Sequence, residues 1–234
     1  MRFYVDDRIF SEFPGVSLGV VVIKGGNNAG DHKEISSNLK EEQTAAVQKL
    51  GNTKISEHPK ILPWRAAYRK FGAKPSDYLC SIENLVKRVQ KGEQIRHINN
   101  LVDIYNIVSL RYLVPVGGED LDKTQGDIAL TFAGENEQPA QLLGEPEPRA
   151  PHKGEVIYKD DKGAICRRWN WKEADRTKLT EQTTNALLVI EALPPTTREE
   201  LQTATSALRD LVEKYCGGFV NSYILDENKR EIRV

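Results

Sequence analysis

The spacing of apolar residues changes from strand-like to helical and back along this chain, and this change limits the possible folds most. Residues 16–23 form a β-branched, nearly continuous apolar run, typical of a strand buried on both faces. The predicted elements are strands at 3–5 and 16–23, helices at 39–50, 63–71, 79–89 and 100–114, strands at 127–132, 155–159, 164–168 and 187–193, a helix at 197–215 and a strand at 219–225. The glycine-rich residues 24–30 are expected to form a flexible linker, and Gly117–Asp120 a loop. Because strands and helices do not alternate regularly, this order predicts an α+β fold.

Charges are balanced overall but separated along the chain. The 234 residues include 33 Lys and Arg against 34 Asp and Glu, and this balance excludes a uniformly basic nucleic-acid binder. Residues 60–97 carry nine basic against three acidic side chains, whereas residues 117–161 carry eleven acidic against four basic ones. The basic stretch is either a solvated helix surface or a patch that contacts phosphates.

Several classes of protein find no support in the sequence. The longest apolar run, at residues 16–23, is too short for a membrane helix, and the first residues lack the pattern of a signal peptide. The three cysteines form no Cys-x-x-Cys pair, and the four histidines have no metal-ligand spacing. We therefore expect a reduced, cytoplasmic protein without a metal, a cofactor or a membrane partner; its oligomeric state stays open.

Two groups of polar residues lie in otherwise apolar segments. Asp103 and Asn106 are three residues apart in the predicted fourth helix, and Asn100 lies about one turn earlier, so these side chains are expected on one face. They either cap the helix within a structural hydrogen-bond network or meet a ligand. Glu191 is a lone acid in an aliphatic strand, where it either reaches solvent or has a function.

Several segments, considered together, indicate a known family. They are Asn100-x-Val102-Asp103-x-x-Asn106 followed by Pro115 and Asp120, then residues 154–158 and 183–192, with residues 64–71 and 81–83 upstream. The first three resemble the B3/B4 editing domain in the beta subunit of bacterial phenylalanyl-tRNA synthetase. The upstream pair looks like the freestanding proteins that consist of this domain alone. The resemblance covers residues 63 to 223.

The resemblance implies a single α+β domain over residues 1–234, with a mixed or antiparallel sheet and packed helices. Residues 1–60 would add N-terminal strands and a helix, and residues 61–225 would form the core with an editing-type pocket. Such a pocket hydrolyses the ester of a wrongly attached amino acid at the 3′ end of a tRNA. By position, Glu191 and Asn106 match the pocket Glu and Asn of the family and are the predicted catalytic residues. Gly117 stands where the family has a histidine, so we expect a reshaped pocket.

Ester hydrolysis requires a positioned water and stabilisation of the developing oxyanion. Glu191 would hold the substrate α-ammonium or orient the water, and Asn106 and backbone amides would contact the carbonyl oxygen. Trp169 would either stack on the terminal adenosine or pack in the core. The residues predicted to bind substrate are Asn100, Asp103, Tyr105, Gly117, Gly118, Trp169 and Thr184, and those predicted to bind tRNA are Arg65, Arg69 and Lys74.

The predicted function is therefore a tRNA-binding hydrolase that deacylates mischarged aminoacyl-tRNA. We do not expect aminoacylation, because 234 residues leave no room for the remaining modules of a synthetase. Two alternatives stay open. The first is a tRNA- or RNA-binding module without catalysis. The second is a small-molecule hydrolase or binding protein that retains the pocket but does not bind tRNA.

Overall fold

A computed structural model describes residues 1–51 and 53–234 of the chain. Six helices and ten strands make up the regular structure of these residues, together with three short 3₁₀ turns. In chain order they are β1 (Arg2–Val5), α1 (Asp7–Glu12), β2 (Ser17–Lys24), α2 (Lys33–Leu50), α3 (Leu62–Lys70), α4 (Ser81–Gln90), α5 (Asn100–Tyr112), β3 (Val116–Asp120), β4 (Ile128–Phe132), β5 (Val156–Asp160), β6 (Gly163–Arg167), β7 (Lys172–Glu173), β8 (Ala186–Ala192), α6 (Arg198–Cys216), β9 (Phe219–Leu225) and β10 (Glu231–Arg233).

The strands form two sheets. The larger sheet has the order β10-β1-β4-β5-β6-β7 and is mixed, because β1 pairs with β4 in parallel and its other pairs are antiparallel. The smaller sheet has the order β3-β8-β2-β9 and is antiparallel throughout. One contiguous hydrophobic core contains buried residues from both sheets and from the helices. The predicted α+β class with mixed and antiparallel pairing is confirmed.

The two faces of the smaller sheet have different neighbours. On one face α6 packs closely against β2, since a Cβ atom at Gly19 would lie only 1.9 Å from the Thr205 hydroxyl. Gly19 is paired with Ile190 of β8, so both residues belong to the α6 side. Side chains alternate across a strand, and Val189 and Glu191 therefore point to the opposite face. That face lines a cavity, so β8 presents Glu191 to a space that α6 does not fill.

Two local expectations are wrong. The Gly117–Asp120 segment is not a loop but most of β3, an edge strand whose ladder runs alongside β8. The glycine-rich segment at 24–30 is not a flexible linker. Asn28 within it is only 1 % exposed and binds the start of α5, donating to the Asn99 side chain at 3.0 Å and accepting from the Leu101 amide at 2.8 Å. Helix α1 and strand β10 had no counterpart among the predicted elements.

No helix within residues 1–51 and 53–234 is long and apolar enough to cross a membrane.

Candidate functional site

A cavity of about 690 Å³ lies against the sheet face that α6 leaves uncovered. Its walls come from one side of α4, residues 95–98, the middle of α5, strands β3 and β8, and residues between Cys166 and Glu173. Tyr105 and Asn106 line it from α5, and Gly117 and Gly118 line it from β3. This volume falls within the usual range for small-molecule sites, ~300–1,000 Å³.

Glu191 is the most constrained carboxylate in this cavity. Its side chain is 4 % exposed, accepts a 2.5 Å hydrogen bond from the Tyr158 hydroxyl on one oxygen, and accepts from the Asn170 amide on the other. Burial raises the pKa of Glu191 to about 7, although donors from Tyr158, Asn170 and Trp169 oppose this rise. The Trp169 indole N–H acts on the carboxylate without reaching the geometry of a full hydrogen bond. Glu191 can therefore exchange a proton near neutral pH.

Two further carboxylates line the cavity, Glu119 on β3 and Glu173 on β7. Burial raises the pKa of Glu173 to about 7. Burial and then the charge of Glu173 raise the pKa of Glu119 well above its usual value. The sequence-based prediction did not include either residue.

A tight turn after β6 carries the donors that orient Glu191. Arg168 and Trp169 both have left-handed backbone angles, with φ of 48° and 65°, and the Trp169 amide donates to the Val156 carbonyl at 2.7 Å. An ion pair between Arg167 and Glu155, each 2 % exposed, lies beneath this turn. Glu155 also accepts from the Arg168 amide at 3.1 Å. The buried pair thus anchors the segment that presents Trp169 and Asn170 to the cavity.

The cavity brings together six of the nine predicted catalytic and substrate-binding residues. They are Glu191, Asn106, Tyr105, Gly117, Gly118 and Trp169. Trp169 is fully buried, and its ring packs edge-on against Phe13 and Trp64 at centroid distances of 4.7 and 5.1 Å. A base cannot stack on a ring enclosed in this way. The half-buried Trp171, which also lines the cavity, is the more accessible ring.

The other three predicted substrate residues lie outside this cavity. Asn100 is fully buried and donates to the Ala29 carbonyl at 3.1 Å. Asp103 accepts from the Ile98 amide at 3.2 Å and pairs with His97 at 2.6 Å. Thr184 is exposed on a turn. Asn100 and Asp103 thus do not line the cavity together with Asn106, because these two side chains bind the neighbouring loops at the start of α5.

The amides of β3 are also less available than expected. Since Pro115 accepts from the Glu191 amide, the antiparallel alternation places the Gly117 N–H in the ladder with Val189. The same alternation turns the Gly118 N–H outward, where it acts on Glu173 and opposes the rise in its pKa. Asn106 of α5 also lines the cavity and offers a side-chain amide donor there.

The three predicted tRNA-binding residues differ in their surroundings. The Arg65 guanidinium is half-buried and donates to the Glu83 carboxylate at 2.7 Å and to the Pro75 carbonyl at 3.1 Å. Lys74 is exposed and lies 3.6 Å from Asp77, and Arg69 is exposed on α3. None of the three lines the cavity, whereas Arg88 and Arg96 do.

Sequence signals for the missed residues differ in strength. Strand alternation places Glu119 on the same face as Gly117, and it would have been found if β3 had been predicted. Tyr158 lies in the predicted strand at 155–159, and the alternation of side chains along this strand would place Tyr158 on one face of β5. Glu173 belongs to a two-residue strand, which no local pattern marks. Within residues 1–51 and 53–234, no group of three or more His, Cys, Asp or Glu could hold a metal ion.

Comparison with known proteins gives one family. The family model described as the B3/4 domain matches residues 63–217, more than half of the chain. The phenylalanine–tRNA ligase beta subunit of Fusobacterium nucleatum subsp. nucleatum is 41 % identical over 69 residues, which is 30 % of this chain and 8 % of the subunit. An N-terminal fragment of the phenylalanyl-tRNA synthetase beta subunit from Pyrococcus horikoshii is 12 % identical with a TM-score of 0.48, and the match covers 96 % of this chain and 54 % of the fragment. The chain thus spans only a small part of the bacterial subunit.

Proposed function

This chain belongs to the B3/4 domain family, and we propose that it binds tRNA and hydrolyses the ester that joins a wrong amino acid to the tRNA 3′ end. The observation that carries the proposal is the state of Glu191. It is a buried carboxylate at the wall of a ligand-sized cavity, oriented by two donors, with a pKa of about 7. A general base is most effective when its pKa lies near the working pH.

The proposed reaction requires one water and no cofactor. Glu191 accepts a proton from a water molecule as its oxygen attacks the ester carbonyl carbon. Asn106 donates to the carbonyl oxygen as negative charge develops there. The bond between that carbon and the ribose oxygen then breaks, and the ribose hydroxyl leaves with a proton returned by Glu191. The products are a free amino acid and a tRNA with an intact 3′ end.

Hydrolysis of a panel of correctly charged and mischarged aminoacyl-tRNAs tests this function. We expect wild type to deacylate at least one member faster than the spontaneous rate, and Asn106→Ala to lose ~100-fold or more of that rate because an oxyanion donor is removed. Asn228→Ala, on the exposed turn after β9, is the matched control and should retain the wild-type rate. If wild type deacylates no member of the panel, the proposal is wrong.

Binding of uncharged tRNA separates this function from the alternative of a small-molecule protein. We propose that Arg88 and Arg96 contact phosphates near the 3′ end, because they line the cavity, and that Arg69 and Lys74 contact the acceptor stem. Arg65 is a weaker candidate because Glu83 already neutralises it.

We expect the double reversals Arg88→Glu with Arg96→Glu, and Arg69→Glu with Lys74→Glu, each to weaken tRNA binding. Each should reduce the slope of log K against log salt by about 2, since each phosphate contact contributes about 1. Fluorescence anisotropy over a salt series measures both quantities. Arg209→Glu, on α6 behind the sheet, is the control. Equal slopes for all variants would support the alternative in which the pocket acts without tRNA.

A further inference from the structure

Besides Glu191, the cavity is lined by two carboxylates without a cationic partner, Glu119 and Glu173. Glu119 is 7 % exposed, and one of its oxygens is buried without a full hydrogen bond. The Thr177 hydroxyl acts on this carboxylate without reaching the geometry of a full hydrogen bond. Glu173 lies beside Gly117, so that a Cβ atom at Gly117 would come within 3.1 Å of a Glu173 carboxylate oxygen. Any side chain at position 117 would therefore meet this carboxylate, and glycine leaves the Glu173 carboxylate uncovered toward the cavity.

Within residues 1–51 and 53–234, no Lys, Arg or His forms an ion pair with Glu119, Glu173 or Glu191. Arg176 pairs with Asp160 at 2.5 Å and Lys172 pairs with Glu145. Arg88 and Arg96 also line the cavity, but among the described residues they form no ion pair with the three carboxylates. Buried carboxylates are normally paired, since removing a charge from water without compensation is costly. A ligand that carries a positive charge would supply the missing partner.

The strand register sets the distance along the sheet between Glu119 and Glu191. Glu119 is paired with Leu187, four residues before Glu191 on β8, which corresponds to about 13 Å along the strand. Leu187 and Val189 lie on the cavity side between Glu119 and Glu191. An apolar stretch between two separated carboxylates suits a ligand with a methylene stem and a terminal cation.

We infer that the cavity selects an aminoacyl group with a basic side chain, whose terminal cation binds between Glu119 and Glu173 while its ester lies at Glu191. This inference rests on the proposed function for the identity of the ester. It assigns specificity to two residues that the reaction itself does not use. Because Gly117 has no side chain, the Glu173 carboxylate can face the ligand.

Binding of amino acid amides to the full chain tests the selectivity without tRNA. The probes are L-lysinamide and L-argininamide, with L-norleucinamide as the neutral aliphatic comparison and L-phenylalaninamide as the aromatic one. We expect calorimetry at pH 7.5 to give the two basic probes at least ~10-fold tighter binding than norleucinamide, because charge-assisted contacts in a buried site are strong. Glu119→Gln and Glu173→Gln should each reduce this ratio toward one. Glu181→Gln, on an exposed turn, should leave it unchanged.

Thermal melts establish that each variant is folded, and Glu173→Gln provides a second, partly exposed position if Glu119→Gln is unstable. The inference is overturned if norleucinamide or phenylalaninamide binds as tightly as the basic probes, or if no probe binds.

Deacylation of lysyl- and arginyl-tRNA against phenylalanyl- and tyrosyl-tRNA then distinguishes the two proposals. Hydrolysis of lysyl- and arginyl-tRNA alone supports both the proposed function and the inferred specificity. Hydrolysis restricted to the aromatic pair supports the proposed function and overturns the inferred specificity. Preference for lysinamide without hydrolysis of any aminoacyl-tRNA supports the selectivity of the cavity and contradicts the proposed function.

Discussion

Glu191→Gln is expected to lower the rate of aminoacyl-tRNA hydrolysis by at least ~100-fold, the lower range for loss of a general base. The amide cannot accept a proton from water at neutral pH. It can still donate to the Tyr158 hydroxyl oxygen and accept from Asn170, the two groups that hold the carboxylate in the wild type. The cavity should therefore keep its shape while losing its base.

The wild-type rate should also follow the titration of Glu191. Because its pKa is about 7, the rate after subtraction of spontaneous hydrolysis should rise as pH increases through 7 and become level above it. Tyr158, Tyr68 and Cys166, which interact with Glu191, have pKa values raised well above their usual ranges by burial and stay neutral through this step. The pKa of the nearby Cys80 thiol is raised to about 12.

Glu173 also has a pKa of about 7 and lines the same cavity. Glu173→Gln therefore serves as the comparison for the pH profile. The step near pH 7 should persist in Glu173→Gln and disappear in Glu191→Gln. Persistence of the step in Glu191→Gln would show that another group is the base.

The substitution Glu191→Gln should also make the protein more stable at alkaline pH. The folded-state pKa of Glu191 exceeds the ordinary value of 4.5, so the folded protein holds the proton more tightly than the unfolded chain. This stabilisation is complete below the unfolded pKa and is lost as pH rises through about 7. Gln imitates the protonated form at every pH. Chemical denaturation should show a gain on the order of 3 kcal/mol at pH 8 and little change at pH 4. An inactive variant that is also less stable at pH 8 would point to structural damage instead.

Local patterns predicted those elements whose neighbours reinforce them. Strand β8 follows from its aliphatic run, and α6 follows from its apolar period and from Thr197, whose capping box with Glu200 is formed in both directions. Strand β3 was missed because Gly and acidic residues are depleted in strands. Pairing with β8 outweighs that local preference, so β3 follows from tertiary structure.

The candidate site was predictable only where a polar residue contrasts with its own segment. Glu191 is conspicuous among aliphatic neighbours, and it does face the cavity. Asn100 and Asp103 are equally conspicuous, yet they serve loops that pack on the start of α5, and nothing in the helix period separates that role from Asn106. Glu119 and Glu173 become neighbours only when β3 and β7 are brought together at the cavity, which no local sequence pattern encodes.

Arg167→Met is expected to lower the free energy of unfolding by ~3–5 kcal/mol at pH 8, the cost of leaving a buried charge without its partner. Arg167 donates to Glu155 through two nitrogens, at 2.9 and 2.7 Å, and both side chains are 2 % exposed. Burial opposes ionisation of Glu155, but the hydrogen bonds and charge of Arg167 outweigh it, so the pKa of Glu155 is lowered. Without Arg167 the same burial would raise that pKa.

The pH dependence of this deficit identifies its cause. In the wild type, the pKa of Glu155 is lower in the folded protein than in the unfolded chain. Glu155 therefore contributes to the free energy of unfolding above its unfolded-state pKa, and this contribution is lost as pH falls through its folded-state pKa. In Arg167→Met, protonation of Glu155 relieves the uncompensated charge, so the difference in unfolding free energy from the wild type should shrink between pH 8 and pH 4. Replacing both partners, as Arg167→Met with Glu155→Gln, should recover part of the loss, because no unpaired charge remains and the Gln side-chain oxygen can still accept from the Arg168 amide. Arg2→Met breaks an exposed pair with Asp127 and should cost less than ~1 kcal/mol. A deficit in Arg167→Met that is constant with pH and unrelieved in the double variant would indicate lost packing around the turn at Arg168 rather than an unpaired charge.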